Sequence, residues 1–269
     1  MTADHRSGAA GPAGGTTTVG RPGAGTNGAG RQGAGAGTGR QGAGAGQQGA
    51  GAGRSGAGLR SDAARNRQAL IQAARTVFHD RGLDAPLDDI ARHAGTGNAT
   101  LYRHFPTRCA LVTAVFADAL VDVVAVCDRA FTNPDPWDGF ADYVRFLCQL
   151  QADDRGMADL LTTSIVGAPD LEKVRRRAVD GLGRLVDRAQ QAGSLRPDFR
   201  QEDIGVFLMA NAGLIHRTAD KAPTAWKRMA TYFLDGLHLD GPVTDLPPSP
   251  GPKAVRAAMA ARGAHFGCC

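Results

Sequence analysis

The residues best placed to do chemistry lie together in Leu87-Asp-Asp-Ile-Ala-Arg-His-Ala-Gly95-Thr-Gly-Asn-Ala-Thr100-Leu-Tyr-Arg-His104-Phe-Pro-Thr-Arg108. Asn98, Thr100, Tyr102, Arg103 and His104 form a face of short hydrogen-bonding side chains, one guanidinium and an aromatic hydroxyl. Those types suit the major groove of DNA, where base edges offer donors and acceptors to an inserted helix. Other chemistries leave no comparable trace. There is no G-x-S-x-G, no H-E-x-x-H and no phosphate loop with its lysine. The seven histidines contain no i, i+4 pair, and the five cysteines lack metal spacing such as C-x-x-C. Adjacent acids such as Asp153 and Asp154 diverge on a helix, which does not suit acid–base catalysis. A glycine pattern at Gly37-Thr-Gly39-Arg-Gln-Gly42 lacks the strand before it and the helix after it that dinucleotide binding requires. No enzyme activity, cofactor or metal is expected.

The groove-facing side chains need a scaffold, and the flanking sequence supplies one. Ser61 or Asp62 can cap a helix in which Leu70, Ile71, Ala74, Val77 and Phe78 recur at helical spacing, ending at Gly82. Leu87, Ile90 and Ala91 mark a short second helix beginning near Asp88 and Asp89, where acids favour a helix N-terminus. It stops at Gly95, where glycine can turn the chain at positive φ. A third helix runs from about Asn98 to His104. Ile90, Ala91, Ala94, Leu101 and Phe105 can share a core with helix one, which turns the polar face outward. Pro106 closes the third helix, and Thr107 can cap a long fourth one with Leu111, Val115, Phe116, Leu120, Val123, Val124 and Cys127 on its apolar face.

Helical spacing continues down the chain. Asn133-Pro-Asp135-Pro136 reads as a breaker and a cap, followed by helices over about 136–152, 154–166, 170–192, 201–218 and 223–239. No convincing period-2 strand appears, so the expected fold is all-α. Residues 241–252 carry five prolines and read as a linker. A helix over 253–262 has too little apolar surface to stand alone, and Cys268-Cys269 fits no prenylation pattern.

The 269 residues include 37 glycines, of which 21 fall in residues 1–58. That segment has almost no apolar side chain larger than alanine, so burial cannot offset the entropy of ordering it, and it reads as a disordered Gly/Ala/Arg-rich tail. The formal charge of +5 divides unevenly: +4 in residues 1–58, +3 in 59–108 and −2 in 109–269. Positive charge therefore accompanies the groove-facing segment, and Arg54 and Arg60 lie where a flexible arm could reach the minor groove. No run approaches the roughly 20 apolar residues of a membrane helix, and no secretory signal opens the chain. A cytoplasmic protein with reduced thiols and no membrane partner is expected.

Residues 87–108 resemble the helix-turn-helix of the TetR family of transcriptional regulators, most closely at Asp89-Ile-Ala-x-x-Ala94-Gly95 and Thr100-Leu-Tyr-x-x-Phe105-Pro106-x-Arg108. The resemblance implies a DNA-binding domain over 59–108, an effector-binding and dimerisation domain over 109–240, and a C-terminal extension over 241–269. It implies phosphate and groove contacts from Thr100, Tyr102 and His104, and a phosphate contact from Arg108. Asn98, Ala99, Thr100 and Arg103 become candidates for base edges. Thr96 and Gly97 stand where the family commonly has an apolar residue and then Ser, and Cys109 replaces a commonly acidic residue. A small-molecule pocket is implied among helices four to seven, with candidates Phe116, Val123, Cys127, Tyr143, Phe146, Leu150, Met157, Leu161, Ser164, Leu182 and Val186. Asn211 and His216 are polar residues in apolar company, open to a ligand or a structural role. Helices 201–218 and 223–239 are implied to form a homodimer, and small Gly205, Ala210, Ala212 and Gly213 suit close approach. The implied function is a repressor that binds a palindromic double-stranded DNA operator as a dimer and is released by a small molecule. The rival reading is a helical adaptor without sequence-specific DNA binding.

Overall fold

The computed structural model describes residues 54–165, 167–241 and 244–265, with side chains from Ser61 to Gly263. Most of the expected tail, the Arg60 side chain and Cys268-Cys269 lie outside the described residues.

Within them the chain is all-α. The first group of helices is α1 (Arg54–Arg81), α2 (Leu87–His93) and α3 (Asn98–His104). It is followed by α4 (Arg108–Phe131), α5 (Pro136–Asp153), α6 (Arg155–Thr162) and α7 (Pro169–Gln191). The last helices are α8 (Gln201–Thr218), α9 (Ala225–Asp235) and α10 (Gly251–His265). The only β-type pairing among the described residues is an isolated bridge between Leu195 and His238.

The caps explain the boundaries. Thr107 is the N-cap of α4 and its Oγ1 accepts from the Ala110 amide at 3.1 Å. Asp135 caps α5 through the Trp137 and Asp138 amides, and Pro136 fills the first turn, where no amide is needed. Gly95 turns the chain between α2 and α3 at φ 65°.

Four expectations require correction. Helix one begins at Arg54 rather than at Ser61. Helix six ends at Thr162 rather than near 166, because the chain turns extended at Thr163 and the Ser164 amide instead donates to the Met259 carbonyl of α10 at 3.1 Å. Helix nine is Ala225–Asp235 rather than 223–239. The residues after it pair with the segment before α8, Arg196 N to Leu237 O at 3.1 Å and Leu239 N to Ser194 O at 3.0 Å. Finally, α4 is by length and composition apolar enough to cross a membrane. Counting uninterrupted apolar runs misses this, because Asp118 and Asp122 interrupt the helix without offsetting its mean hydropathy. The apolar face is occupied: Leu111, Val115, Phe116, Leu120, Val123 and Cys127 are buried in the core.

That core is continuous from Leu70 and Phe78 of α1 through Ile90, Leu101 and Leu111 to Phe140, Leu185 and Leu234. Burying such a side chain stabilises the fold by about 1.5–3 kcal/mol each.

Candidate nucleic-acid interface and effector cavity

The candidate groove-facing helix, α3, is held from behind. Ile90, Leu101 and Phe105 are at most 2% exposed, and the Arg67 guanidinium lies 5.1 Å above the Phe105 ring. With those side chains inward, Asn98, Ala99, Tyr102 and Arg103 are exposed, and Thr100 and His104 are half-buried. Gly97 is the N-cap of α3 and offers no side-chain acceptor. Asn98 does not take over that role: its Nδ2 donates to Asp88 Oδ1 at 2.7 Å, tying α3 to α2. Asp89 pairs with both Arg81 and Arg92, which leaves one carboxylate fewer to repel a phosphate backbone. His104 Nε2 is buried and meets no hydrogen-bond partner among the described residues.

Arg108 has a second occupation. Its Nη1 donates to the carbonyls of Leu83 and Ala85, each at 2.7 Å, so the first residue of α4 holds the loop between α1 and α2. From the other side, Asp159 of α6 accepts from the Leu83 amide at 2.9 Å, and its second oxygen accepts from Arg262 of α10 at 3.1 Å. Arg155 adds a bond to the Asp80 carbonyl at 3.2 Å. One loop therefore joins the helix-turn-helix to α4, α6 and, through Asp159, α10.

A cavity of about 330 Å³ opens between α4, α5, α6, α7, α8 and α10. Of the eleven pocket candidates, Val123, Tyr143, Leu161, Ser164 and Leu182 line it. The other six pack elsewhere. Phe116 stacks on Phe78 with centroids 6.1 Å apart, and Cys127 lies against Gly181, whose missing Cβ makes room for the sulfur. Phe146 stacks on the Tyr143 ring at 6.3 Å; Met157 and Val186 are plain core, and Leu150 is half-buried against it. Burial pushes the Cys127 thiol up, as it does the Tyr143 hydroxyl that shares a hydrogen bond with it. Burial also raises Cys148 to about 12, so it stays a neutral thiol at ordinary pH.

Asn211 is 1% exposed and its Nδ2 donates to Gln151 Oε1 at 2.9 Å, while Gln151 donates to the Leu208 carbonyl at 3.1 Å. This buried pair joins α5 to α8 away from the cavity lining. His216 is exposed and does not line the cavity.

Sequence reasoning missed the polar residues that do enter the cavity. Arg175 sits in the run Arg175-Arg176-Arg177, which reads as a solvated charge cluster. A signal existed: position 175 is four after Leu171 and three before Ala178, so it falls on the apolar stripe of α7. Thr163 and Met259 carry no such mark, because the first lies past a helix end and the second on a segment that reads as an extension.

Comparison with known proteins agrees with both halves. The N-terminal model of bacterial regulatory proteins of the tetR family matches residues 70–115, and that of the C-terminal domain of SbtR-like transcriptional regulators matches 135–239. The HTH-type transcriptional repressor BepR of Brucella suis biovar 1 (strain 1330) is 25% identical over 167 residues, which is 57% of this chain and 80% of BepR. A TetR transcription regulatory protein from Mycobacterium vanbaalenii is 31% identical, over 67% of this chain and 99% of that one, with a TM-score of 0.41. The TetR transcriptional regulator SCO0520 from Streptomyces coelicolor is 30% identical over 65% and 99% of the two chains, with a TM-score of 0.42. The chain belongs to the TetR family of ligand-responsive, DNA-binding transcriptional regulators. The α10 helix lies beyond the last residue matched by the family's C-terminal model.

Proposed function

We propose that the protein is a cytoplasmic repressor, not an enzyme, that binds a palindromic operator as a homodimer and leaves it when a small molecule fills the cavity. The observation that carries the DNA-binding half is the outward face of α3, where Tyr102 is 49% exposed beside exposed Arg103. Arg103 pairs with a guanine edge, Ala99 and Asn98 lie against neighbouring bases, and Thr100, Tyr102 and His104 contact phosphate or groove wall. Arg108 acts chiefly as a positioning residue, since its Nη1 is given to the loop before α2. Arg60, in the N-terminal turns of α1, adds contact from beside the groove that α3 enters.

Dimerisation runs through α8 and α9. Phe207 and Phe233 stack at 3.8 Å and fix the two helices against each other. Their outer side keeps Val206, Met229 and Tyr232 exposed beside the exposed small residues Ala210 and Gly213. Such a face suits a second copy, and a dimer sets the two α3 helices about 34–36 Å apart, in successive major grooves. Ligand binding shifts the population of dimers with the wrong spacing, by no more than its differential affinity. The shift reaches DNA through α4, which runs from Arg108 to the cavity wall at Leu120 and Val123, and through Asp159 on α6.

The test is a footprint upstream of the protein's own gene and its neighbours, repeated across a salt series. A protected palindrome whose affinity falls steeply with salt supports the reading. Binding to no DNA site, or only salt-insensitive binding to proteins, leaves the adaptor as the function.

A further inference from the structure

The cavity lining includes the half-buried cation Arg175, and the carboxylates Glu172 and Glu202 that also line it make no ion pair with it among the described residues. The Arg175 guanidinium reaches in from α7 and has no carboxylate partner there, only a carbonyl and a thioether. Nη1 donates to the Thr163 carbonyl, and Nη2 faces the Met259 sulfur at 3.1 Å. A thioether is a weak acceptor. No ion pair is made by Arg175 among the described residues; the carboxylate whose charge it feels is Glu172, one turn earlier on the same helix. Burying a guanidinium without a carboxylate is unfavourable, and a bidentate carboxylate is the partner whose geometry it matches.

A second group points to the same place. Thr163 is fully buried and lines the cavity, and its Oγ1 meets no hydrogen-bond partner among the described residues. Its hydroxyl can donate to an acceptor already held by the guanidinium. The other charged side chains of the lining are the half-buried Glu172 and Glu202 and three at the rim. Arg176, Asp180 and Arg256 are exposed at its rim, with both signs present. Deeper in, the wall is hydrocarbon: Leu120, Val123, Leu147, Leu160, Ile204 and Leu208. At about 330 Å³ the space is at the small end of small-molecule sites, which run from roughly 300 to 1,000 Å³.

The helix that contributes Met259 is docked with little clearance. The Ser164 amide bonds the Met259 carbonyl, and a Cβ on Gly263 would lie only 2.1 Å from the Ser164 carbonyl oxygen, so only glycine allows that approach. The sulfur thus stands where a stronger acceptor would complete the guanidinium.

We propose that the effector is a small apolar carboxylic acid, its carboxylate held by Arg175 and Thr163 and its hydrocarbon part seated against the leucines of α4, α5, α6 and α8. This rests on the reading of the cavity as the effector site. The acid displaces the Met259 sulfur from Nη2 and leaves α10 as the cover.

Calorimetry on the full chain tests it with two matched pairs, octanoate against octanamide and phenylacetate against phenylacetamide. The expected result is that at least one acid binds at least about tenfold more tightly than its amide, the scale of a charge-assisted bidentate pair. That advantage is lost in Arg175→Met and partly kept in Arg175→Lys, and Thr163→Val weakens the acid. Equal binding of acid and amide in both pairs overturns the proposal, as does failure of both acids to bind. So does an acid advantage that survives Arg175→Met in a cooperatively melting protein. If that variant does not fold, the acid–amide comparison in the native chain decides alone. Release of an operator by a molecule that is not an acid would sink this proposal and keep the effector reading. Acid binding that leaves operator affinity unchanged would do the opposite.

Discussion

The two ends of the molecule handle their arginines in opposite ways. At the helix-turn-helix, Arg103 stands exposed in solvent on a helix whose other side is sealed by Leu101 and Phe105. At the cavity, Arg175 is folded inward against a carbonyl and a sulfur. An exposed guanidinium loses little hydration until a phosphate or a base arrives, so it suits a large, polyanionic and replaceable partner. A partly buried one has lost some of its hydration and gains most from a single anion small enough to enter. The contrast suits a polyanion at one end and a small anion at the other.

The largest disturbance should come from breaking the seal behind the exposed end. Leu101 is 1% exposed, and Leu101→Ala is expected to lower stability by about 2–5 kcal/mol through the lost burial and the cavity left behind. Chemical denaturation measures this, and operator affinity should fall with it. If stability is unchanged, α3 is not held by its core in the way described.

Next comes the junction through which the proposed coupling would run. Asp159→Ala leaves the Leu83 amide without its acceptor and Arg262 without one of its partners, at an expected loss of about 1–3 kcal/mol. Its more informative effect is on coupling: the ligand should still bind, and operator release by the ligand should weaken. A variant that releases DNA as readily as the native chain would place the coupling in α4 alone.

Arginine substitutions then sharpen the contrast within the DNA-binding end. Arg103→Ala should lose about 1–3 kcal/mol of discrimination at one base pair of the operator, read from affinities for point-substituted sites. Arg108→Ala should weaken binding at every site equally without flattening the salt dependence, because Nη1 already bonds the Leu83 and Ala85 carbonyls. A salt slope smaller by about one unit would instead make Arg108 a phosphate contact.

The same contrast explains what the sequence disclosed. The DNA-binding end is built from 22 contiguous residues, and each of its signals is local: Gly95 at positive φ, Thr107 as a cap, and Leu101 and Phe105 four apart. Local signals survive in one dimension, so α2 and α3 lie where spacing places them. The cavity draws on residues from Leu120 to Met259, and what makes it polar is a matter of tertiary direction. Arg175 was on an apolar stripe but hidden in a run of three arginines. Six of the eleven pocket candidates share faces with the lining residues and still point into the core, because a helix between two layers has two apolar sides. Helix α10 was the least legible. Its apolar residues Val255 and Met259 are few, and the contacts that hold it come from Arg175, Asp159 and Gly205, far away in the sequence.

The segment leading into α10 provides the smallest and most selective test. Arg196, 6% exposed, grips Asp198 through Nε at 2.6 Å and Nη2 at 2.9 Å, and its Nη2 also donates to the Thr244 carbonyl at 2.6 Å. Asp198 accepts in turn from the Leu246 amide at 3.3 Å. The Arg196 guanidinium is the main reason that the Asp198 carboxyl is held at about 2, below its ordinary 3.8. A carboxyl depressed on folding contributes stability that is fully present above its unfolded value and is lost as pH falls through the folded one. The contribution should therefore be constant above about pH 4 and fade between about pH 4 and 2. Melting curves of the native chain and Asp198→Asn should differ by a fixed small amount at neutral pH and converge near pH 2. Because Asp198 secures the approach to α10 and not the helix-turn-helix, acid should loosen the cover of the cavity while the seal behind α3 holds. A difference that persists unchanged to pH 2 would mean that the carboxylate's charge contributes nothing there and that shape alone holds the segment.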